Sequence, residues 1–335
     1  MKILKWVKWV CLSVAGVIAL LLVAGFVYEH IARTLVRKAY PAQGQSVTVG
    51  DHTLNVTSKG NGGPLVVFES GIDQGGAMVW GRVQDQTAMF TSTLSYDRAG
   101  IMWSERGGNP KTCVAMADEL YEVLRKSNMQ GPYILVGHSV AGYILRSFVA
   151  RHAAEIAGIV LVDAAHPDQW NRFPPVLNKN LPPLWVIRLA SNTGAVRLFM
   201  PSVYPGISKN DSLNVVVNAY FPVSLPTVAE EFAYVRSLAD EAAKISTFGD
   251  IPLIVITGTG ESRKDDYPSE ALAKTFDTLW GEMQTDLLKM STRSRHVLAS
   301  RSGHFIMLDQ PEVVLEAIRE LVNQSRGRTE ARRIE

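Results

Sequence analysis

One serine in this chain lies where a nucleophile would be expected. Residues 133–142 read Tyr-Ile-Leu-Val-Gly-His-Ser-Val-Ala-Gly, which predicts a short apolar strand that turns sharply into a helix. Ser139 stands at the turn between Gly137 and Ala141, two small residues that let the strand and the helix approach closely. The pattern is G-x-S-x-A rather than G-x-S-x-G. We therefore predict that Ser139 is the nucleophile of a covalent reaction.

A histidine near the other end of the chain could serve as the general base. Residues 296–305 read His-Val-Leu-Ala-Ser-Arg-Ser-Gly-His-Phe, a predicted strand followed by a Gly-containing loop that carries His304. A single loop histidine is more often an ordinary surface residue. Here it follows what we predict to be the last strand, and an imidazole so placed can take the proton of Ser139 and later return it to the leaving group.

A glycine-rich loop could supply the donors that acyl transfer needs for its developing oxyanion. Residues 65–80 begin as an apolar strand and continue as Glu-Ser-Gly-Ile-Asp-Gln-Gly-Gly before a predicted helix. Two backbone N–H groups must point at the oxyanion. We predict that one belongs to Val140, directly after the nucleophile, and the other to Ile72. The plainer interpretation is a glycine turn, and both can hold together.

These segments together resemble the α/β-hydrolase superfamily, over residues 45–324. Residues 95–104, Ser-Tyr-Asp-Arg-Ala-Gly-Ile-Met-Trp-Ser, are similar to the fourth-strand segment of that family. The resemblance implies a doubly wound, mostly parallel α/β sheet with a helical cap inserted after strand six. It also implies the chain order nucleophile, acid, histidine. Relatives that use aspartate as nucleophile, such as dehalogenases and epoxide hydrolases, fit poorly because residue 139 is serine.

The catalytic acid has two candidates, because a carboxylate must orient the imidazole and either of two strands could carry it. The resemblance implies an acid after strand seven, where most family members have it. Here that strand is Pro-Leu-Ile-Val-Ile-Thr-Gly at 252–258, which makes Glu261 a candidate. A subset of the family carries the acid at the end of strand six, which is the position of Asp163. We favour Asp163 and keep Glu261 as the alternative.

The sequence contains no further signature of metal or cofactor chemistry. Its His, Cys, Asp and Glu residues show no metal-ligand spacing, and there is no P-loop or dinucleotide-binding glycine motif, so we expect no metal and no cofactor. The prediction is a serine hydrolase of the esterase or lipase type that cleaves ester or related acyl bonds of apolar small molecules. The alternatives are an acyltransferase of the same fold and a ligand-binding relative without catalysis.

The domain organisation follows from where the strand–helix alternation stops. We predict an anchor over 1–38, hydrolase core over 39–163 and 251–324, a helical cap over 164–250 and a disordered tail over 325–335. The cap segment is rich in proline and in aromatic side chains, some of which would line an apolar acyl site.

The N-terminus predicts a membrane anchor. Twenty residues from Trp9 to Tyr28 carry no charge, which is long enough to span a bilayer. Lys2, Lys5 and Lys8 precede them, as in a signal peptide, but no convincing cleavage site follows. We therefore predict an uncleaved signal anchor with the N-terminus inside and the hydrolase domain on the outer, periplasmic or extracellular, side.

The charge balance argues against nucleic acid as a partner. The chain has 335 residues and a formal net charge of +2, but residues 1–38 contribute six basic side chains and one acid. The remaining chain therefore carries a net charge of −3, with no basic stripe. The two cysteines, Cys11 and Cys113, lie in different predicted segments, so we expect no disulfide.

Overall fold

The computed structural model of this protein describes residues 2–177, 181–260, 267 and 269–334. Its centre is an eight-stranded sheet with the order β1-β2-β4-β3-β5-β6-β7-β8. The strands are β1 (Gln45–Val49), β2 (His52–Lys59), β3 (Leu65–Glu69), β4 (Thr93–Tyr96), β5 (Tyr133–His138), β6 (Ile156–Val162), β7 (Leu253–Gly258) and β8 (Ser294–Ala299). β1 and β2 form an antiparallel hairpin at one edge, and β3 to β8 run parallel.

Helices cover both faces of this sheet. The helices are α1 (Lys2–Ala39), α2 (Gly81–Thr87), α3 (Cys113–Lys126), α4 (Ala141–His152), α5 (Gln169–Arg172), α6 (Leu184–Asn192), α7 (Ala195–Phe199), α8 (Ser212–Ala243), α9 (Glu270–Leu287), α10 (Ile306–Asp309) and α11 (Pro311–Ile334). Side chains of α3 and α4 join one buried apolar cluster. Those of α2 and α11 join a second cluster on the opposite face. The predicted doubly wound, mostly parallel α/β sheet is confirmed.

The strand residues explain this two-sided burial. β3, β5, β6 and β7 are buried along their whole length, which matches their continuous apolar sequence. Each connection between neighbouring parallel strands crosses over through a helix, as parallel pairing requires. The carboxyl ends of β5, β6 and β7 therefore lie side by side at one edge of the sheet, where loops that follow them can meet.

The helical insertion lies between β6 and β7, where the cap was predicted. It contains α5, α6, α7 and α8. α8 is 32 residues long and includes Pro222 and Pro226. A proline lacks the N–H that would bond the carbonyl four residues earlier, so Pro226 leaves the Pro222 carbonyl without its helical donor. That carbonyl accepts from Arg33 Nη2 at 3.4 Å, so a residue of α1 supplies the missing donor.

The predicted separation of anchor and domain needs a correction, because the C-terminal part of α1 belongs to the folded body. Glu29 is 1% exposed and forms ion pairs with Arg33 at 2.9 Å and with Arg197 of α7 at 2.8 Å. Directly after α1, the carbonyl of Tyr40 accepts from Trp103 Nε1 and from the Tyr220 hydroxyl at 2.9 Å each. The buried carboxylate of Glu29 needs its arginine partners, and the pair with Arg197 holds α1 against the cap.

The predicted disordered tail also needs a correction, since α11 continues to Ile334. The reason is a set of contacts from its last turns to distant backbone. Arg326 donates to the carbonyls of Gly63 at 3.0 Å and Phe90 at 2.6 Å, and Arg328 donates to that of Ala157 at 2.9 Å. These arginines therefore hold the end of α11 against the backbone of other elements, which favours a helix over a frayed end.

Candidate active site

Ser139 lies at a strained turn between β5 and α4. Its φ is +54°, a left-handed conformation that is unfavourable for a residue with a Cβ. Its carbonyl accepts from Gly142 N at 3.0 Å and from Ala165 N at 2.9 Å, which fixes the turn. A Cβ on Gly137 would lie 2.5 Å from Leu145 Cδ1, so the strand must carry glycine there for α4 to pack. The side chain of Ser139 is half-buried.

Asp163 follows β6, with a positive φ of +43° and no exposed surface. One of its oxygens, Oδ1, accepts from Gly258 N at 3.0 Å and from Trp280 Nε1 at 2.9 Å. The other, Oδ2, lies 2.6 Å from His304 Nδ1. The donors Gly258 N and Trp280 Nε1 hold Oδ1 away from the imidazole, and this orientation turns Oδ2 towards it. The carboxylate thereby favours the tautomer of His304 that is protonated at Nδ1, leaving Nε2 free of its proton.

His304 lies on the loop after β8, held by two neighbouring contacts. Asp309 Oδ2 accepts from Ser302 Oγ and from Gly303 N, both at 3.1 Å. The His304 ring is 4.4 Å from the ring of His138, the residue before Ser139. His138 Nε2 lies 2.9 Å from the His304 carbonyl, so it donates to that oxygen and serves the loop as a scaffold.

The loop after β3 packs directly against Ser139. A Cβ on Gly71 would lie 2.9 Å from the Cβ of Ser139, which is closer than side chains tolerate. Glycine is required there for this close approach rather than for its φ, because of the three loop glycines Gly71, Gly75 and Gly76 the last alone has a positive φ, +52°. Ile72 follows Gly71 and is half-buried.

Val140 directly precedes the first residue of α4. The first N–H groups of a helix have no acceptor within the helix, so the Val140 N–H points out of the helix end. Ile72 follows Gly71, which touches Ser139, and Val140 follows Ser139 in the chain, so both predicted oxyanion donors belong to segments next to this serine. Glu261 lies outside the described residues, as do Asp265 and Asp266.

The fold and this arrangement can be compared with known proteins. Residues 66–317 match the model of the family described as "Alpha/beta hydrolase family", which covers most of the chain. The chain belongs to the alpha/beta hydrolase family. The curated relatives include "Probable transporter efuK" of Hormonema carpetanum, 27% identical over 314 residues, which span 83% of this chain and 42% of that protein.

A second curated relative of this alpha/beta hydrolase is "Uncharacterized protein YqjL" of Bacillus subtilis (strain 168), 25% identical over 78% of this chain and 84% of that protein. The chain spans about half the length, or less, of the first curated relatives it matches. A solved thermophilic esterase from Thermogutta terrifontis shares the fold, with a TM-score of 0.57 and 19% identity, over 85% of this chain and 99% of that one.

A buried ion network of this alpha/beta hydrolase escaped the sequence analysis. Arg98 donates to the Ser70 carbonyl at 2.5 Å and to the Gly71 carbonyl at 2.6 Å. It pairs with Glu69 at 2.8 Å and with Glu231 of α8 at 2.7 Å. Burial raises the pKa of Glu69. The carboxylates of Glu231 and Glu69 raise the pKa of Arg98 well above the usual range. The network therefore ties the loop beside Ser139 to the cap.

A second contact between loop and cap joins Asp73 and Tyr204. The Tyr204 hydroxyl donates to Asp73 Oδ1 at 2.5 Å, and Gly75 N donates to the same oxygen at 2.6 Å. Burial raises the pKa of the Asp73 carboxyl, and that of Tyr204 is well above its ordinary value for the same reason. An acid one residue after Ile72 is the signal that the sequence offered, but its partner is 131 positions away.

Within residues 2–177, 181–260, 267 and 269–334, no group of three or more His, Cys, Asp or Glu side chains is arranged to hold a metal ion. His166, at the start of the cap, accepts from Asp168 N at 3.1 Å through Nδ1. Burial lowers the pKa of His166 to about 4, so its ring is neutral at pH 7.

Proposed function

We propose that this protein is a serine hydrolase that cleaves carboxylic ester bonds of apolar small molecules through an acyl-enzyme. The observation that carries the proposal is the 2.6 Å contact between Asp163 Oδ2 and His304 Nδ1, on a histidine whose ring packs beside that of His138, the residue before Ser139. A carboxylate, an imidazole and a strained serine in this order match the requirements of nucleophilic acyl transfer.

In the first step, His304 Nε2 takes the proton of Ser139 as Oγ attacks the ester carbonyl carbon. The new Oγ–C bond forms, and the carbonyl π electrons move to oxygen, where the N–H groups of Ile72 and Val140 stabilise the charge. The C–O bond to the alcohol then breaks, and the protonated His304 gives its proton to the departing oxygen. Asp163 stabilises the imidazolium throughout.

In the second step, water replaces the alcohol. His304 removes a proton from water, whose oxygen attacks the acyl carbon and releases the carboxylic acid, and the proton returns to Ser139 Oγ. The apolar substrate class rests on the aromatic and aliphatic composition of the cap segment that covers this edge of the sheet.

Ester hydrolysis tests this proposal. The full chain in detergent micelles is assayed with p-nitrophenyl esters of increasing acyl length, beside Ser139→Ala and Ser237→Ala. Ser237 is an exposed serine of α8 and serves as the matched control. We expect Ser139→Ala to lose activity by about 10⁴-fold or more and Ser237→Ala to keep it. Equal activity of Ser139→Ala and wild type would refute the proposal.

We further propose that α1 stays in the mature protein as a membrane anchor. α1 has one stretch long and apolar enough to cross a bilayer. The support for retention is that α1 packs on the cap within its apolar run, where a Cβ on Gly25 would lie 2.5 Å from the Thr193 carbonyl oxygen, so cleavage after the run would remove this contact. Intact mass measurement of the membrane-extracted protein tests this, because a chain that begins near residue 25 would contradict it.

A further inference from the structure

Exposed apolar side chains are concentrated on one part of the cap. Outside α1, twelve large apolar side chains of the described residues are exposed, and eight of them lie between 176 and 203. Six of these eight belong to α6, α7 and the loop that follows, and we call them the cap surface: Trp185, Leu189, Leu198, Phe199, Met200 and Val203. Single exposed apolar residues are common on soluble proteins, but such a cluster marks an interaction site.

The cap surface is continuous with α1. Trp185 and Leu189 line an open groove of about 620 Å³ together with Leu22, Val23 and Phe26 of α1. The two helices touch at the backbone as well, since a Cβ on Gly25 would lie 2.5 Å from the Thr193 carbonyl oxygen. α6 therefore runs beside the last turns of the uncharged segment that we propose to cross the membrane.

The position along α1 sets the depth of this contact. Leu22 lies seven residues before Glu29, the first charged residue after the span, and seven residues of α-helix are about 10 Å long. A cap helix that contacts Leu22 thus reaches about 10 Å towards the bilayer from the level of Glu29. Interfacial helices bury their apolar faces 5–10 Å into the boundary between headgroups and acyl chains, roughly the same depth.

We propose that the cap surface is a second membrane contact, seated in the interfacial layer of the bilayer that α1 crosses. The proposal rests on the proposed retention of α1 as an anchor. The neighbouring charges suit this partner. Arg188, which also pairs with Glu230 at 3.4 Å, lines the same groove, and Lys209 lines a pocket together with Val203, so both cations can meet lipid phosphates while Trp185 occupies the interface that tryptophan favours.

The contact has a consequence for substrate. Val203 is 40% exposed on the cap surface, whereas the next residue, Tyr204, is 2% exposed and donates to Asp73 beside Ile72. The chain segment that touches lipid is thus covalently continuous with the residue that holds the loop at Ser139. Esters dissolved in the bilayer are therefore the substrate class that this placement favours.

Site-directed fluorescence tests the proposal on the full chain in phosphatidylcholine–phosphatidylglycerol vesicles. Cys11→Ser removes the exposed thiol, and the buried Cys113 is left in place. An environment-sensitive NBD label is attached to Phe199→Cys or Trp185→Cys, and to the controls Met89→Cys and Leu298→Cys, which are exposed at positions outside the cap. Quenching by doxyl-labelled lipid and by aqueous iodide is then compared, with melting temperatures as the folding control.

We expect labels at 185 and 199 to be quenched severalfold more by doxyl lipid than labels at 89 and 298, and less by iodide. Equal iodide quenching at all four positions would overturn the proposal. Protection from both quenchers that disappears on dilution into excess lipid would also overturn it, and would assign the surface to a second copy of this chain. Vesicle flotation reports the anchor separately, and neither readout requires ester hydrolysis, so failure of the proposed catalysis is distinguishable.

Discussion

Asp163 is held by donors from three different elements, which makes its two oxygens unequal. Oδ1 receives Gly258 N and Trp280 Nε1, and Oδ2 faces His304. In Asp163→Asn the amide oxygen would keep the first two donors, so the NH₂ group would face His304 Nδ1. The imidazole would then carry its proton on Nε2, the wrong tautomer for a general base.

We therefore expect Asp163→Asn to lower kcat for ester hydrolysis by roughly 10³- to 10⁴-fold with little change in melting temperature. Steady-state kinetics on p-nitrophenyl esters measures this. Glu261→Gln, the alternative acid, is the matched control and should stay within about threefold of wild type. The opposite ranking of the two variants would transfer the role to Glu261.

His166 predicts a pH dependence of stability. Its pKa is lowered by burial to about 4, against 6.5 in the unfolded chain, so between these values the unfolded state binds more protons. This contribution to stability is present above pH 6.5 and is lost as the pH falls towards 4. Because the ring is only partly buried, solvent screening reduces the loss from pH 7.5 to pH 5 to about 1 kcal/mol.

Urea unfolding of the full chain in micelles at these two pH values measures the effect. His166→Asn keeps an acceptor for Asp168 N but does not titrate, so it should lose about 1 kcal/mol less than wild type over the same interval. An equal loss in both proteins would show that His166 does not carry the dependence.

Candidate catalytic residues at turns could be predicted from the sequence, whereas contacts between residues far apart in the chain could not. Ser139 and His304 stand out because each lies in a local pattern of strand, small residues and loop. The sequence left Asp163 and Glu261 open, since acidic residues follow both β6 and β7. The Arg98–Glu231 pair joins positions 133 apart, and no local pattern reports such a contact.

The Arg98–Glu231 pair joins α8 to the loop after β3. Breaking this pair tests how the cap supports the site. Glu231 is 1% exposed and accepts from Arg98 Nε and Nη2, so its replacement by glutamine weakens two charged hydrogen bonds while Glu69 still balances the guanidinium. We expect Glu231→Gln to lower the free energy of unfolding by about 2 kcal/mol and to lower kcat as well, because Arg98 positions the Ser70 and Gly71 carbonyls.

The neighbouring residue offers the matched control. Glu230 pairs with Arg106, whose side chain is half exposed, and a pair in solvent contributes less than about 1 kcal/mol. Urea unfolding and ester kinetics on Glu230→Gln and Glu231→Gln separate the two cases. Similar small effects of both substitutions would mean that the buried network does not hold the loop.

The elements themselves followed from the sequence pattern, because continuous apolar runs predict buried parallel strands and their interruption predicts the inserted helices. The sheet and its inserted helical segment are confirmed. The predicted disordered tail was wrong, and the contacts of α1 with the cap were not predicted, for one shared reason. Charged residues at 29, 326 and 328 bind partners on distant elements, and a pattern that reads charge as solvent contact misses them.

α1, the cap and the sheet form one connected body, and Glu29 tests this connection. We expect Glu29→Gln to lower the free energy of unfolding by about 3 kcal/mol, since Arg197 would lose its carboxylate partner at a site shielded from water. His30→Gln, an exposed neighbour on the same helix, should change it by less than about 0.5 kcal/mol. Urea unfolding in micelles compares them, and equal stabilities would show that α1 is held loosely.

The central claim is that Ser139 is an activated nucleophile, and active-site labelling tests it most directly. The full chain is treated with a fluorophosphonate, and the adduct is located by peptide mass spectrometry, for wild type, Ser139→Ala and His304→Ala. We predict one adduct, on Ser139, absent from Ser139→Ala and formed at least 10²-fold more slowly in His304→Ala. A folded wild type that forms no adduct, or forms it on another serine, would contradict the proposed hydrolase.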